Sequence, residues 1–198
     1  MVESEMNIRA ATSDDAMGIA AVHVASWQET YVGLMPAAIL NSLSVADRAA
    51  RWARILAEAA HEGGMSVFVA MHAGDTVGFA HSCGQRDGRL NVRGFTGEIG
   101  AIYVLRNAQG KGLGRCLMTA AAQSLHELGH DAASLWVLRD NDPARRFYER
   151  LGGEVCCERE DRLEAATLVE LAYGWRDLSA LTGRSSRKTS IKTIESGC

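Results

Sequence analysis

Glu98-Ile99-Gly100-Ala101-Ile102-Tyr103-Val104, then Gln109-Gly110-Lys111-Gly112-Leu113-Gly114, is the stretch on which the reading of this chain turns. The first segment is rich in β-branched and aromatic residues and reads as a strand. From Gly112 to Leu128 the pattern changes to a helical one. Leu113, Cys116, Leu117, Ala120, Leu125 and Leu128 draw an apolar stripe, and Gly129 stands where a helix C-terminus wants glycine. A glycine loop between a strand and a long helix turns several N–H groups outward, and the helix start adds partial positive charge. Together they suit an anion, a pyrophosphate above all, and the glycines allow close approach. The spacing is G-x-G-x-G, neither the G-x-G-x-x-G of a Rossmann fold nor a P-loop. A glycine-rich turn without a ligand is the plainer alternative.

Outward from this stretch, Asn7 to Ala10 reads as a strand and Thr12-Ser13-Asp14-Asp15 as a capping box opening a helix through Trp27. Pro36 to Leu40 suggests a short helical turn. Ser44-Val45-Ala46-Asp47 caps another helix, with Trp52, Ile55, Leu56 and Ala59 at helical spacing, and Gly63-Gly64 breaks it. Met65 to Met71 and Thr76 to Cys83 form a hairpin through Ala73-Gly74-Asp75. Gly84 to Gly94 reads as loop. Downstream, Ser134 to Leu138 is a buried strand, Asp142-Pro143 starts a helix that ends near Leu151, and strands follow at Glu154 to Arg159 and Thr167 to Tyr173. The element order predicts a mixed sheet with helices on both faces, not a doubly wound dinucleotide fold.

The 198 residues suffice for one domain with a core, at 47% hydrophobic and 23% charged. A net charge of -3 argues against nucleic acid as a partner. No apolar run has the length of a membrane span, and Met1 to Glu5 lacks a secretory pattern, so the expected location is cytoplasmic. Cys83, Cys116, Cys156, Cys157 and Cys198 have neither C-x-x-C nor zinc spacing; reduced thiols and no metal are expected.

Gln-x-x-Gly-x-Gly after Glu-Ile-x-x-Ile-Tyr-Val resembles the acetyl-CoA signature of the GNAT superfamily of N-acetyltransferases. The stretch Asn141-Asp142-Pro143-Ala144-Arg145-Arg146-Phe147-Tyr148-Glu149-Arg150-Leu151-Gly152 resembles that family's next motif. The likeness runs from about Asn7 to Trp175. It implies a domain over residues 1–175 and a polar, basic, flexible tail over 176–198. The implied fold is α/β (α+β), with a mixed, mostly antiparallel central sheet of about seven strands and helices on both faces. The implied reaction is direct attack of a primary amine on acetyl-CoA in a ternary complex. The acceptor is a small molecule or a protein amine, and a homodimer is compatible with the fold. Two positions depart from the family: Arg106 replaces a usual proline, and Gly153 a frequent aromatic.

An aliphatic ammonium costs about 4–5 kcal/mol to deprotonate at pH 7, so a base is useful. The resemblance implies that Glu98 is that base; a structural hydrogen bond explains it equally. His23 and His81 are rivals. The backbone of Tyr103 and Val104 is implied to pair with the pantetheine arm and meet the thioester oxygen. Gln109, Gly110, Lys111, Gly112, Leu113 and Gly114 are implied to hold the pyrophosphate, and Asn141 the coenzyme arm, unless it only caps its helix. Tyr148 is implied to serve the leaving thiolate, with core packing as the alternative. Cys116 is expected in the core. Trp27 and Tyr31, four apart on one helical face, are implied to line the acceptor side; a core stripe has the same spacing. The competing classes are a non-catalytic acyl-CoA sensor and an interaction protein using Arg184, Arg187, Lys188 and Lys192.

Overall fold

Seven strands build one sheet in the computed structural model, which describes residues 6–163 and 166–183. In chain order they are β1 (Asn7–Ala10), β2 (Met65–His72), β3 (Asp75–Gly84), β4 (Gly97–Val104), β5 (Ala133–Leu138), β6 (Glu154–Leu163) and β7 (Ala166–Trp175). The helices are α1 (Ala16–Thr30), α2 (Ala37–Asn41), α3 (Val45–Glu62), α4 (Gly88–Val92), α5 (Leu113–Glu127), α6 (Asp142–Arg150) and α7 (Ser179–Thr182). The spatial order is β1-β2-β3-β4-β5-β7-β6, antiparallel everywhere except between β4 and β5. The expected mixed, mostly antiparallel sheet of seven strands is therefore observed.

The two faces have separate cores. On one, Leu113, Leu117, Met118, Ala121 and Leu125 of α5 pack on Ala80, Ile99, Leu135 and Val137 of the strands, with Tyr148 of α6 beside them. On the other, Ile19 and Val22 of α1 and Trp52 and Leu56 of α3 cover Val67, Val69 and Phe79. Burial of each Leu, Ile, Val, Met or Phe side chain among these is worth about 1.5–3 kcal/mol. Leu90, Phe95 and Ala172 close that second face under α4.

Four local readings need correction. Residues 84–94 contain α4, where Asp87 accepts from Arg89 N at 2.9 Å and Leu90 is fully buried. Its single turn is too short for a visible period. Cys116 is exposed rather than core, because the buried stripe of α5 runs through Leu113, Leu117 and Ala121 instead. Strand β6 continues to Leu163 through the charged run Glu158-Arg159-Glu160-Asp161-Arg162, since an edge strand needs no apolar face there. Packing also continues past Trp175. Leu178 and Leu181 are buried, Leu178 N–H donates to Asp131 O at 3.0 Å, and Thr119 Oγ1 donates to Leu181 O at 2.9 Å. The remaining tail, with Arg184, Arg187, Lys188 and Lys192, and Cys198, lies outside the described residues.

The two departures from the family pattern have physical explanations. A Cβ on Gly153 would lie 2.7 Å from the Trp175 indole, whose Nε1 donates to Leu151 O at 2.9 Å. The indole occupies the space of the missing aromatic. Arg106 uses the N–H that proline lacks, donating to Glu29 Oε2 at 2.9 Å, while its guanidinium donates to Glu29 O. The end of α1 is thereby tied to the chain that leaves β4.

His23 of α1 is clasped in the second core. Its Nδ1 accepts from Trp52 Nε1 at 3.1 Å, and its ring stacks on Tyr103 at 5.3 Å. Burial, with Arg48 and Arg51 nearby, lowers its pKa to about 4. Protonation would turn Nδ1 into a donor facing another donor. Because the folded pKa lies below the unfolded one, the contribution is complete above about pH 6.5 and is lost as pH falls towards 4. Urea unfolding should show stability lower at pH 5 than at pH 7.5 by about 2 kcal/mol from this residue. His23→Gln, which keeps an acceptor for Trp52, should flatten that part of the slope. An unchanged slope refutes the assignment.

Candidate active site

Strands β4 and β5 pair through only two positions, Gly97 with Ala133 and Glu98 with Ser134. Beyond them β4 runs on to Val104 and β5 to Leu138 with no ladder between them. A wedge-shaped gap therefore opens in the sheet, lined by strand backbone that lacks its usual partner. The vertex is fastened by Gln85, whose Nε2 donates to Ser134 Oγ at 2.7 Å and to Gly97 O at 3.3 Å. A bulge at Gly100, between the pairs His81–Ala101 and Ser82–Ile99, bends β4 where pairing with β5 ends. A Cβ on Gly100 would meet His81 Nδ1 at 2.8 Å and Arg86 Nη2 at 2.9 Å, so only glycine leaves room for both.

The glycine loop sits beyond the open end of β4. Gly112 is the N-cap of α5 in the left-handed region, φ 84°, which other residues resist. Gln109 Nε2 donates to Val104 O at 2.9 Å and holds the loop against the strand end. The N–H groups of Gly110, Lys111 and Gly112 have no hydrogen-bond partner among the described residues. Lys111 and Gly112 are exposed, whereas Leu113 is buried and anchors the helix start. Gly114 lies where a Cβ would be 3.2 Å from Phe147, so α6 seats close to the loop. Gln109 to Gly112 form an exposed turn that leads into a 15-residue helix, the geometry expected for an anion cradle.

Aromatic rings enter the gap region from both faces. Trp27 and Tyr31 meet edge to face at 5.3 Å, and Trp27 Nε1 donates to Tyr103 Oη at 3.0 Å. All three are partly exposed. From the other face comes Tyr148, buried and packed on Tyr173 at 5.8 Å and Trp175 at 6.1 Å. Burial raises its pKa, and so does its electrostatic contact with Tyr103. Burial likewise raises the phenols of Tyr31 and Tyr103. All three hydroxyls stay protonated at neutral pH. Asn141 is the N-cap of α6, its side chain accepting from Ala144 N at 3.3 Å. The capping reading is thus realised, and its amide NH₂ makes no hydrogen bond among the described residues.

Glu98 is at the vertex and 7% exposed. Its carboxylate accepts from Arg86 N and Arg86 Nε, both at 3.1 Å, and pairs with Arg86 Nη2. The structural hydrogen bond weighed for Glu98 is therefore present, in bidentate form. His81 lies beside it on β3 and is buried, with no hydrogen-bond partner for Nε2. Burial, and next the Arg86 charge, lower its pKa to about 4. Arg86 was not legible as part of the site; it lies in the segment read as loop, and its contact with Glu98 crosses twelve residues. The same holds for the side chain of Tyr103, where only the backbone was expected to matter. Among the described residues, no three His, Cys, Asp or Glu side chains could hold a metal, and no helix is long and apolar enough to cross a membrane.

Comparison with known proteins gives this arrangement a family. The model described as "Acetyltransferase (GNAT) family" matches residues 22–153. The uncharacterized N-acetyltransferase YuaI of Bacillus subtilis is 35% identical over 178 residues, covering 89% of this chain and 96% of that protein. The PaiA N-acetyltransferase of Thermoplasma acidophilum, solved in complex with coenzyme A, is similar in fold, with a TM-score of 0.67 at 16% identity, covering 84% of this chain and 98% of that one. YncA of Salmonella typhimurium, a putative acetyltransferase solved with its cofactor acetyl-CoA, has a TM-score of 0.61 at 22% identity, covering 87% and 94%. The chain belongs to the GNAT acetyltransferase family.

Proposed function

We propose that this protein transfers the acetyl group of acetyl-CoA to a primary amine, the amine attacking the thioester directly while donor and acceptor are both bound. The observation that carries the reading is the gap between β4 and β5, with a loop of unpartnered N–H groups at its open end and a carboxylate at its vertex. The presence of coenzyme A and acetyl-CoA in the similar PaiA and YncA structures supports the same donor here. The residues fit such a donor. A Cβ at Gly110 or Gly112 would meet nothing within 4 Å, so the cradle is open to a pyrophosphate.

The donor supplies an activated acyl carbon. The rest of the work falls to the chain. N–H groups of the loop and the start of α5 bind the phosphates, and unpaired backbone of β4 near Tyr103 and Val104 orients the arm and donates to the developing oxyanion. As the nitrogen bonds to the acyl carbon and the carbon–sulfur bond breaks, one proton passes from the nitrogen to the departing sulfur, after the acceptor's ammonium has given up a first proton at the vertex to free its lone pair. Glu98 takes that first proton, directly or through a water. Three N–H bonds from Arg86 hold it in place but occupy lone pairs that a proton needs. His81 is the rival acceptor, its ring neutral and Nε2 unpartnered, although the burial and the Arg86 charge that keep it neutral also oppose its protonation. The thiolate leaves towards Tyr148. A thiol titrates near 8.5, well below a buried phenol whose pKa is raised. The Tyr148 proton is therefore shared in a hydrogen bond more than it is given away. Trp27 and Tyr31 wall the acceptor side.

Four variants test this. Gly112→Asp puts a carboxylate and a Cβ strained at positive φ into the cradle; acetyl-CoA affinity by calorimetry should fall by about a hundredfold or more. Undiminished affinity in folded protein removes the loop from the site. Glu98→Gln should lower kcat by roughly 10²–10⁴, with acetyl-CoA affinity nearly unchanged and partial recovery at high pH, where more amine is neutral. If His81→Gln shows that profile and Glu98→Gln does not, the base is His81; if neither does, the base assignment fails. Tyr148→Phe removes a hydroxyl and little volume. It should slow turnover by about tenfold with an unchanged melting temperature, and wild-type turnover would leave Tyr148 a packing residue.

A further inference from the structure

Next to Glu98, on the α3 side of the sheet, a cavity of about 460 Å³ opens among Arg51, Arg54 and Glu58 of α3, His81 and Cys83 of β3, and Arg86. Arg51, Arg54 and Glu58 stand at helical spacing and face it together. The charge of Arg86 is engaged by Glu98. Neither Arg51 nor Arg54 forms an ion pair among the described residues. The cavity thus presents two unengaged guanidinium groups against the single carboxylate of Glu58. It has a buried floor as well as a charged rim. His81 and Cys83 are both more than nine-tenths buried, and Nε2 of His81 is without a partner. That floor adjoins the vertex, because Cys83 is the cross-strand neighbour of Glu98.

We propose that this cavity receives the anionic group of the acceptor, so that the substrate class is a primary amine carrying a carboxylate or phosphate a few bonds from its nitrogen. The inference rests on the amine-transfer reading above and narrows it. Guanidinium groups bind carboxylate and phosphate in forked geometry, and a concave setting strengthens the attraction over that of an open surface. With the anion held by Arg51 and Arg54, the amine end of a short molecule is directed towards Glu98 and His81. A neutral amine gains nothing from the two arginines.

The test uses two matched acceptor pairs, β-alanine against β-alaninamide and phosphoethanolamine against ethanolamine, with thiol release measured on wild type and on Arg51→Gln/Arg54→Gln. A second arm titrates inorganic phosphate into both proteins by calorimetry. Wild type should favour at least one anionic member over its neutral partner by about tenfold or more in kcat/KM, and the favoured pair identifies carboxylate or phosphate. The double variant should lose that preference through KM, keep its KM for acetyl-CoA and its melting temperature, and bind phosphate more weakly by about tenfold or more. Equal use of charged and neutral amines by wild type, or a preference unchanged in the double variant, overturns the inference and leaves the transferase reading standing. If no amine is turned over, the transferase reading fails, and the phosphate arm decides the arginine site: weakened binding in the double variant sustains it, equal binding refutes it.

Discussion

Two residue pairs of parallel ladder, Gly97 with Ala133 and Glu98 with Ser134, join the two halves of this sheet, and the rest of the site depends on the ladder stopping there. A strand stripped of its neighbour leaves N–H and C=O groups that cost free energy unless something meets them. A glutamine side chain stands at each end of the seam. Gln85 bridges Gly97 and Ser134 at the closed end, and Gln109 bonds Val104 O at the open end. Between them the backbone is left without a strand partner. The bulge at Gly100 belongs to the same device, because it turns β4 away from β5 just after the last pair.

Charge is arranged with the same economy. Glu98 is buried, and an isolated buried carboxylate would be very costly. Arg86 meets it with one backbone and two side-chain donors while keeping its own stem partly in water. The Arg86 charge also discourages a second proton on His81, for which burial is the larger cause. A paired carboxylate and a neutral imidazole are thus packed side by side, and Arg51 and Arg54 add positive charge around the cavity they share. The tyrosines near the gap are the uncharged counterpart: Tyr31, Tyr103 and Tyr148 are held protonated by burial.

Local signals in the chain were good guides wherever a property belongs to neighbouring residues. The strand from Glu98 to Val104, the glycine loop and the capped helices all follow from period, turn chemistry and caps, and the order of strands and long helices that they produce is the one observed, with the short α4 and α7 missing from it. What sequence could not supply is contact between distant segments. Arg86 lies in the polar run from Gly84 to Gly94, and nothing local says that it reaches Glu98. Leu178 and Leu181 were lost in a polar tail because a single helical turn has no period to detect. For Asn141, cap and ligand demand the same residue, and only geometry assigns its oxygen to Ala144 N. Cys116 shows the reverse error, a residue one step off the stripe counted with its neighbours.

Gly153 and Trp175 form a lock in which one side chain fills the volume that the other surrenders. Such a pair has an evolutionary consequence. An aromatic at 153 with the indole still present would overfill the space, and a smaller residue at 175 with glycine still present would empty it and orphan Leu151 O. Either single step passes through a less stable protein, whereas the double exchange restores the volume. A lineage that has acquired this glycine and this tryptophan is therefore expected to keep both or to trade both, and the two positions should change in concert across its descendants.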